Sequence, residues 1–254
     1  MSLINNKETD ELAIIYPYDV SVDMLNGSSI MKPCGYQTIM GEVAEKHLRY
    51  LNLTEGELAK YGMAWVLISA SFDIINPLHS AIRVLGHTWH SEQKGLTFRR
   101  DFAFTDEAGN QLFNASTFSV LLDLNTRKII KPVNMPFDLG SPVKEFSMEA
   151  SSRFRNKTSM SPCDSRKIYP SYIDAIGHTK NCRYSEFAYD AFNESEIENL
   201  DKMSRLDLYF ISELRLGDKF TVRRGIEKGG ALIIDGVKEN TSKESFACRI
   251  EFKK

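Results

Sequence analysis

Residues 35–75, GYQTIMGEVAEKHLRYLNLTEGELAKYGMAWVLISASFDII, decide the fold, because their hydrophobic periodicity changes once along the stretch. In residues 35–51 the apolar side chains recur three or four positions apart, which predicts a helix of about four turns with one buried stripe. In residues 65–75 β-branched and aromatic side chains dominate and partly alternate, which predicts a strand. A helix followed by a strand is the beginning of an α+β unit.

The rest of the first half adds strands to this unit. An apolar run at residues 12–20 precedes the helix, and three more strands are predicted at residues 82–90, 96–105 and 112–124. Turn-forming residues such as Asn76-Pro77 and the segment 107–110 separate them. One helix followed by an antiparallel meander is the simplest arrangement.

The same order of elements returns after a segment without periodicity. That segment gathers four prolines between residues 131 and 166, so we predict an N-terminal domain at 1–135, a linker at 136–165 and a C-terminal domain at 166–254. Beyond it come an apolar run at 168–173, a helix after His178, and strands at 206–214, 220–226, 231–237 and 245–252. The helix should bury Tyr184, Phe187, Ala188 and Phe192. The repetition predicts two homologous units whose edge strands join into one sheet.

Composition narrows the classes of function. The 254 residues suit two domains that each bury a core. Because 32 Lys and Arg nearly balance 34 Asp and Glu, no basic stripe for nucleic acid is expected. The four scattered cysteines form no C-x-x-C pair, which favours reduced thiols and a cytoplasmic protein without a metal site. The sequence has neither a secretory signal pattern nor a stretch of roughly 20 apolar residues, so no membrane partner is expected.

The segment with most chemical potential is YIDAIGHTKNCRY, residues 172–184, in which Asp174, His178 and Asn181 precede or begin a helix. The N–H groups at a helix N-terminus can hold an oxyanion or a substrate carbonyl, and Asp174 and His178 would face it. The alternative is structural. In it Asp174 caps a turn, His178 is a satisfied hydrogen-bonding residue, and Asn181 is an N-cap.

Glu213 is a second candidate, because it sits near the end of the predicted strand 206–214, most of whose other residues are strongly apolar. A partly buried carboxylate of this kind can serve as a general base. The alternative is a Glu at the wet edge of a strand, paired with Arg205 or Lys219. In the first half, His47 is interpreted as a core or pocket histidine and Trp65 as part of the core or of an apolar pocket.

Motifs along nearly the whole chain resemble one family, the acyl-acyl carrier protein thioesterases of bacteria and plant plastids. The matching segments are GEVAEKH (41–47), AWVL (64–67), TW (88–89), RRDF (99–102), LLDLNTRK (121–128), D-x-x-x-H-x-x-N-x-x-Y (174–184) and FISELRLGD (210–218). The family pattern usually has Asn where this chain has Ile176.

The resemblance implies an α+β fold of two tandem hotdog domains, each a central helix wrapped by an antiparallel sheet. It places catalysis on Asp174, His178 and Glu213. Substrate binding falls on Asn181, Trp65 and His47, and the first domain shapes the acyl pocket. The implied reaction releases a free fatty acid from acyl carrier protein and terminates fatty acid synthesis.

The implied partner is acyl carrier protein bearing a fatty acyl-phosphopantetheine, and Arg127, Lys128 and Lys131 are candidates for its basic rim. No cofactor and no metal are implied, and the protein would be a monomer or a homodimer. Two alternatives stay open. One is a hotdog acyl-CoA thioesterase or hydratase, and the other is a non-catalytic acyl-binding protein, motivated by Ile176 and Lys180.

Overall fold

A computed structural model describes residues 14–132, 135–137, 139–174 and 177–253. The predicted run at 12–20 lies partly outside them, and its described part contains the first strand. The helices are α1 (Pro33–Tyr50), α2 (Glu55–Lys60), α3 (Asn181–Tyr189) and α4 (Glu194–Glu198). The strands are β1 (Tyr16–Asp19), β2 (Met63–Ile74), β3 (Arg83–Lys94), β4 (Thr97–Thr105), β5 (Gln111–Asp123), β6 (Ser161–Lys167), β7 (Met203–Phe210), β8 (Lys219–Ile226), β9 (Leu232–Lys238) and β10 (Glu244–Phe252).

All ten strands form one antiparallel sheet in the order β1-β3-β4-β5-β2-β7-β10-β9-β8-β6. From either edge inward the topology is the same, with α1 and α3 in equivalent places. The halves join where Ser69–Asp73 of β2 pairs with Arg205–Tyr209 of β7. The α+β class and the two tandem hotdog units are confirmed. Joining at β2 and β7 pairs two strands that would otherwise be exposed edges.

Helix α1 forms as the periodicity predicts. Pro33 occupies its first turn, where a missing N–H costs no hydrogen bond. Tyr36, Ile39 and Val43 are buried against the sheet. Asn52, just past the end, adopts a left-handed φ of 58°, a conformation that commonly terminates helices.

Helix α3 is shorter than the apolar spacing predicts. It ends at Tyr189, so Phe192 lies beyond the helix, although it is buried in the same core. A new helix starts soon after, because the side chain of Asn193 accepts a hydrogen bond from the N–H of Glu196 and caps α4. Buried residues of both halves form one continuous apolar cluster.

The proline-rich segment contains an edge strand that periodicity missed. Strand β6 begins at Ser161, inside the predicted linker, and its residues are almost all exposed, so no apolar alternation marks it. Before it, the backbone N–H of Val143 and Ser147 bond to His90 O and Asp101 Oδ1, which ties the crossover to the sheet. The division into domains at 1–135 and 166–254 stays a prediction.

No helix in the described ranges is long and apolar enough to cross a membrane. The cysteines Cys34, Cys163, Cys182 and Cys248 are all thiols.

Candidate active site

Asp174 and His178 lie in a tight loop that leads into α3. Asp174 Oδ1 accepts a hydrogen bond from the backbone N–H of His178 at 3.0 Å, and Asp174 N–H donates to His178 O at 2.8 Å. Gly177 adopts φ +82°, which a glycine tolerates without strain. Ile176, the departure from the family pattern, lies outside the described residues. Asp174 therefore has the turn-capping role considered as an alternative, and that role also fixes His178.

The loop brings His178 to Glu213, which is distant in sequence. His178 Nε2 lies 2.7 Å from Glu213 Oε1, with the two side chains 29% and 25% exposed. Glu213 Oε2 lies 3.0 Å from Arg215 Nη2 and 3.5 Å from Arg127 Nη2 of the first half. The predicted Asp174, His178 and Glu213 thus form one cluster. Arg205, one of the two alternative partners considered for Glu213, pairs with Asp73 and Asp207 instead.

A cavity of about 520 Å³ begins beside this cluster. Asp174, Asn181 and Cys182 line it at the start of α3, and α1 forms one wall from Gln37 to Leu48. Strands β2, β4 and β5 form much of the rest. A cluster of Leu48, Trp65, Phe98 and Leu139 marks the far end.

The start of α3 borders the cavity. Its N-cap is Lys180, which makes no side-chain capping hydrogen bond, so the N-cap role considered for Asn181 in the structural alternative was wrong. Asn181 is the first helical residue, and both it and Cys182 line the cavity. An uncapped helix N-terminus can stabilise a negatively charged oxygen.

Of the predicted substrate-binding residues, Asn181 and Trp65 line the cavity. His47 is completely buried, and its Nδ1 lies 3.0 Å from Nη1 of Arg100, which does line the cavity. Since a guanidinium only donates, this nitrogen of His47 must accept. Burial, and then the charge of Arg100, lowers the pKa of His47 to about 3. Direct contact of His47 with substrate stays a prediction.

Sequence reasoning missed Gln37, Gly41 and Arg215 as members of the site. Gln37 and Gly41 stand on the helical stripe between apolar residues, where nothing in the pattern sets them apart. Arg215 belongs to the quoted FISELRLGD motif, yet a lone Arg near a Glu carries no signal of pairing. Among the described residues, no group of His, Cys, Asp and Glu is arranged to hold a metal ion.

Known proteins share this architecture. The sequence model of the acyl-ACP thioesterase N-terminal domain matches residues 15–135. No curated protein matches the sequence. The structure of an acyl-ACP thioesterase from Bacteroides thetaiotaomicron superposes with a TM-score of 0.83 at 18% identity, covering 94% of this chain and 97% of that one.

Two further solved structures are similar along the same length. A putative oleoyl thioesterase from Lactobacillus plantarum superposes with a TM-score of 0.75 at 17% identity, covering 94% and 95% of the two chains. The 12:0-ACP thioesterase from Umbellularia californica superposes with a TM-score of 0.75 at 15% identity, covering 94% of this chain and 96% of that one. At these identities the likeness establishes the fold.

Proposed function

We infer that this chain, which belongs to the acyl-ACP thioesterase family, hydrolyses the thioester of fatty acyl-acyl carrier protein to a free fatty acid and the carrier thiol. The observation that carries the proposal is the cluster of Asp174, His178 and Glu213 at the head of a largely apolar cavity. A thioesterase needs a base for water, an acid for the thiol and a site for the oxyanion.

Asp174 is the carboxylate best placed to act on water. It lines the cavity, as do Asn181 and Cys182. Glu213 instead directs one oxygen to His178 and the other to Arg215, so its role is to orient His178. Asp174 accepts a proton from water as the water oxygen bonds to the thioester carbon, and the carbonyl electron pair moves onto oxygen.

The remaining steps use the α3 N-terminus and His178. The new oxyanion accepts hydrogen bonds from the first N–H groups of α3. Its collapse breaks the C–S bond, and His178, held beside the carboxylate of Glu213, gives a proton to the departing thiolate. The proton taken by Asp174 and the one lost by His178 balance, and the products are a fatty acid and a thiol.

The acyl chain occupies the cavity along α1. The wall from Gln37 to Leu48 spans about 16 Å at about 1.5 Å per helical residue. With carbon–carbon bonds of about 1.5 Å in a zigzag chain, that length suits roughly a dozen carbons. Trp65 and Phe98, which pack edge to face at 4.9 Å, close the far end. We therefore propose medium-chain acyl groups as substrates.

The carrier protein docks near Glu213. Arg127 contacts Glu213 and is exposed, as are Lys128 and Lys131, so an acidic carrier would meet positive charge where the phosphopantetheine enters. We place the reaction in the cytoplasm, where cysteine thiols stay reduced.

The test is thiol release from acyl carrier protein loaded with 4 to 18 carbon chains, beside matched acyl-CoA and 3-hydroxyacyl thioesters. We expect release to peak near a dozen carbons and His178→Ala to lower it at least about a hundredfold. His79→Ala, at an exposed histidine, is the matched control and should behave as wild type. Tight binding without thiol release would support an acyl-binding protein, and 3-hydroxyacyl conversion without thiol release a hydratase.

A further inference from the structure

Gln37 of α1 is a buried amide with only one of its two ends engaged. The residue is 3% exposed, although it lines the cavity. Its Oε1 accepts a hydrogen bond from Ser185 Oγ of α3 at 2.7 Å. Within the described ranges, no group accepts a hydrogen bond from its Nε2. A buried amide left without an acceptor costs roughly 1–3 kcal/mol, so such a donor calls for an explanation.

The position of Gln37 beside α3 explains the unpaired Nε2. Ser185 lies on the first turn and a half of α3, and its hydroxyl also lies 2.8 Å from the carbonyl of Cys182, a cavity residue. The amide of Gln37 is thereby held against the end of α3 where the thioester carbonyl is proposed to lie. Its contact with Ser185 fixes the amide plane, which is the preorganisation that oxyanion stabilisation requires.

We propose that Gln37 is a catalytic residue whose Nε2–H donates a hydrogen bond to the thioester oxygen as it becomes an oxyanion. This inference rests on the proposed thioesterase function and adds a donor from the first half to the N–H groups of α3. The active site is then completed across the contact between the two helices. The bond strengthens as negative charge develops on oxygen, so it acts on kcat more than on substrate binding.

The experiment compares Gln37→Met and Gln37→Glu with the wild type on the best acyl-acyl carrier protein substrate. Methionine keeps the length of the side chain but removes the donor, and glutamate replaces the donor with a charged acceptor. We expect kcat to fall about a hundredfold in both, with KM within about threefold. Because Gln37→Met also removes an unsatisfied buried amide, its melting temperature should equal or exceed that of the wild type.

The exposed Gln93 on β3 provides matched controls, Gln93→Met and Gln93→Glu, which should leave kcat unchanged. Ser185→Ala should lower kcat by about tenfold alone and add little to Gln37→Met, since Ser185 acts through Gln37. A Gln37→Met protein with wild-type kcat overturns the inference, and so does one that loses kcat and melting temperature together. If the wild type releases thiol while Gln37→Met is unimpaired, only this inference fails. Absence of thiol release by the wild type overturns the proposed function and this inference with it.

Discussion

The two halves contain an equivalent loop before their main helix, but only the second loop combines a carboxylate with a histidine. In the second half Asp174 Oδ1 accepts from His178 N–H at 3.0 Å, and in the first half Asn26 Oδ1 accepts from Ile30 N–H at 2.9 Å. The backbone bond from the first residue to the carbonyl of the fifth measures 2.8 Å in both. The fourth residue has positive φ in both, Gly177 at 82° and Ser29 at 62°. The described residues of the two loops therefore adopt the same turn.

Their side chains differ at each position proposed for the chemistry. Asn26 replaces the carboxylate of Asp174, and a buried Ile30 replaces His178. Pro33 begins α1 where Asn181 begins α3, so the first helical N–H is absent. After the central strand, Leu78 N–H and Leu214 N–H both bond to a tyrosine hydroxyl, which puts Pro77 at the place of Glu213.

The two halves also differ in the residue that their main helix places at the level of the cavity. Gly41 of α1 lines it, and a Cβ built on Gly41 would meet no atom within 4 Å. The equivalent residue of α3 is Tyr189, a bulky side chain whose hydroxyl bonds to the side chain of Asn26. The comparison teaches that the repeat fixes the backbone around the site, while a handful of side chains distinguishes the copy that carries the proposed site.

The largest effect should come from exchanging the capping residues. Asp174→Asn should keep the loop, because Asn26 forms the same one, but lower kcat about a thousandfold through loss of the base. Circular dichroism and melting temperature should match the wild type. The reciprocal Asn26→Asp should leave kcat unchanged, and a comparable fall in both variants would contradict the asymmetry.

Glu213→Gln should lower kcat about a hundredfold, because an amide cannot support a positively charged His178 as a carboxylate does. The measurement is steady-state thiol release. Pro77→Ala, at the equivalent place in the first half, is the control and should retain wild-type kcat. A Glu213→Gln enzyme with full activity would remove Glu213 from the mechanism.

Gly41→Tyr, which copies Tyr189, should shorten the acyl site. Losing the burial of two methylenes costs about 1.6 kcal/mol, so kcat/KM for 12-carbon chains should fall at least about tenfold. Butyryl chains should be affected less. Gly41→Ala is the control for helix propensity and should stabilise α1 by up to about 1 kcal/mol. Equal losses at all chain lengths would show that α1 does not line the acyl site.

The two buried histidines of the first half, His47 and His90, should affect the free energy of unfolding rather than kcat. Burial, and then Arg100, lowers the pKa of His47 to about 3 and of His90 to about 4. Both folded values lie below the unfolded value of about 6.5, so the unfolded chain binds more protons below that pH. The stability they contribute is present above about pH 6.5 and is lost as the pH falls toward 4.

Urea unfolding between pH 7.5 and 4.5 measures this effect. Each histidine adds up to about 1.4 kcal/mol per pH unit to the slope. His47→Asn should remove one such contribution, whereas His79→Asn should leave the slope unchanged. An unaltered slope in His47→Asn would mean that His47 is protonated in the folded state.

Most of the fold could be predicted from the sequence, because the buried helices and strands show apolar side chains at regular spacing. Strand β6 could not, since exposed edge strands have no buried face to mark them. The cluster of Asp174, His178 and Glu213 followed from loop position and resemblance. The roles proposed for Gln37 and Gly41 did not, because they depend on which groups lie beside α1 in the folded chain, and the spacing of residues in the sequence does not show that.

The central claim is that one chain has one site, in its second half. The most direct test is a crystal structure with a dodecanoyl-pantetheine analogue in which a methylene separates the carbonyl from sulfur. We predict one molecule per chain, with its oxygen within hydrogen-bonding distance of the α3 N-terminus and its chain between α1 and Trp65. A molecule bound at Asn26 and the start of α1, or one in each half, would contradict the account.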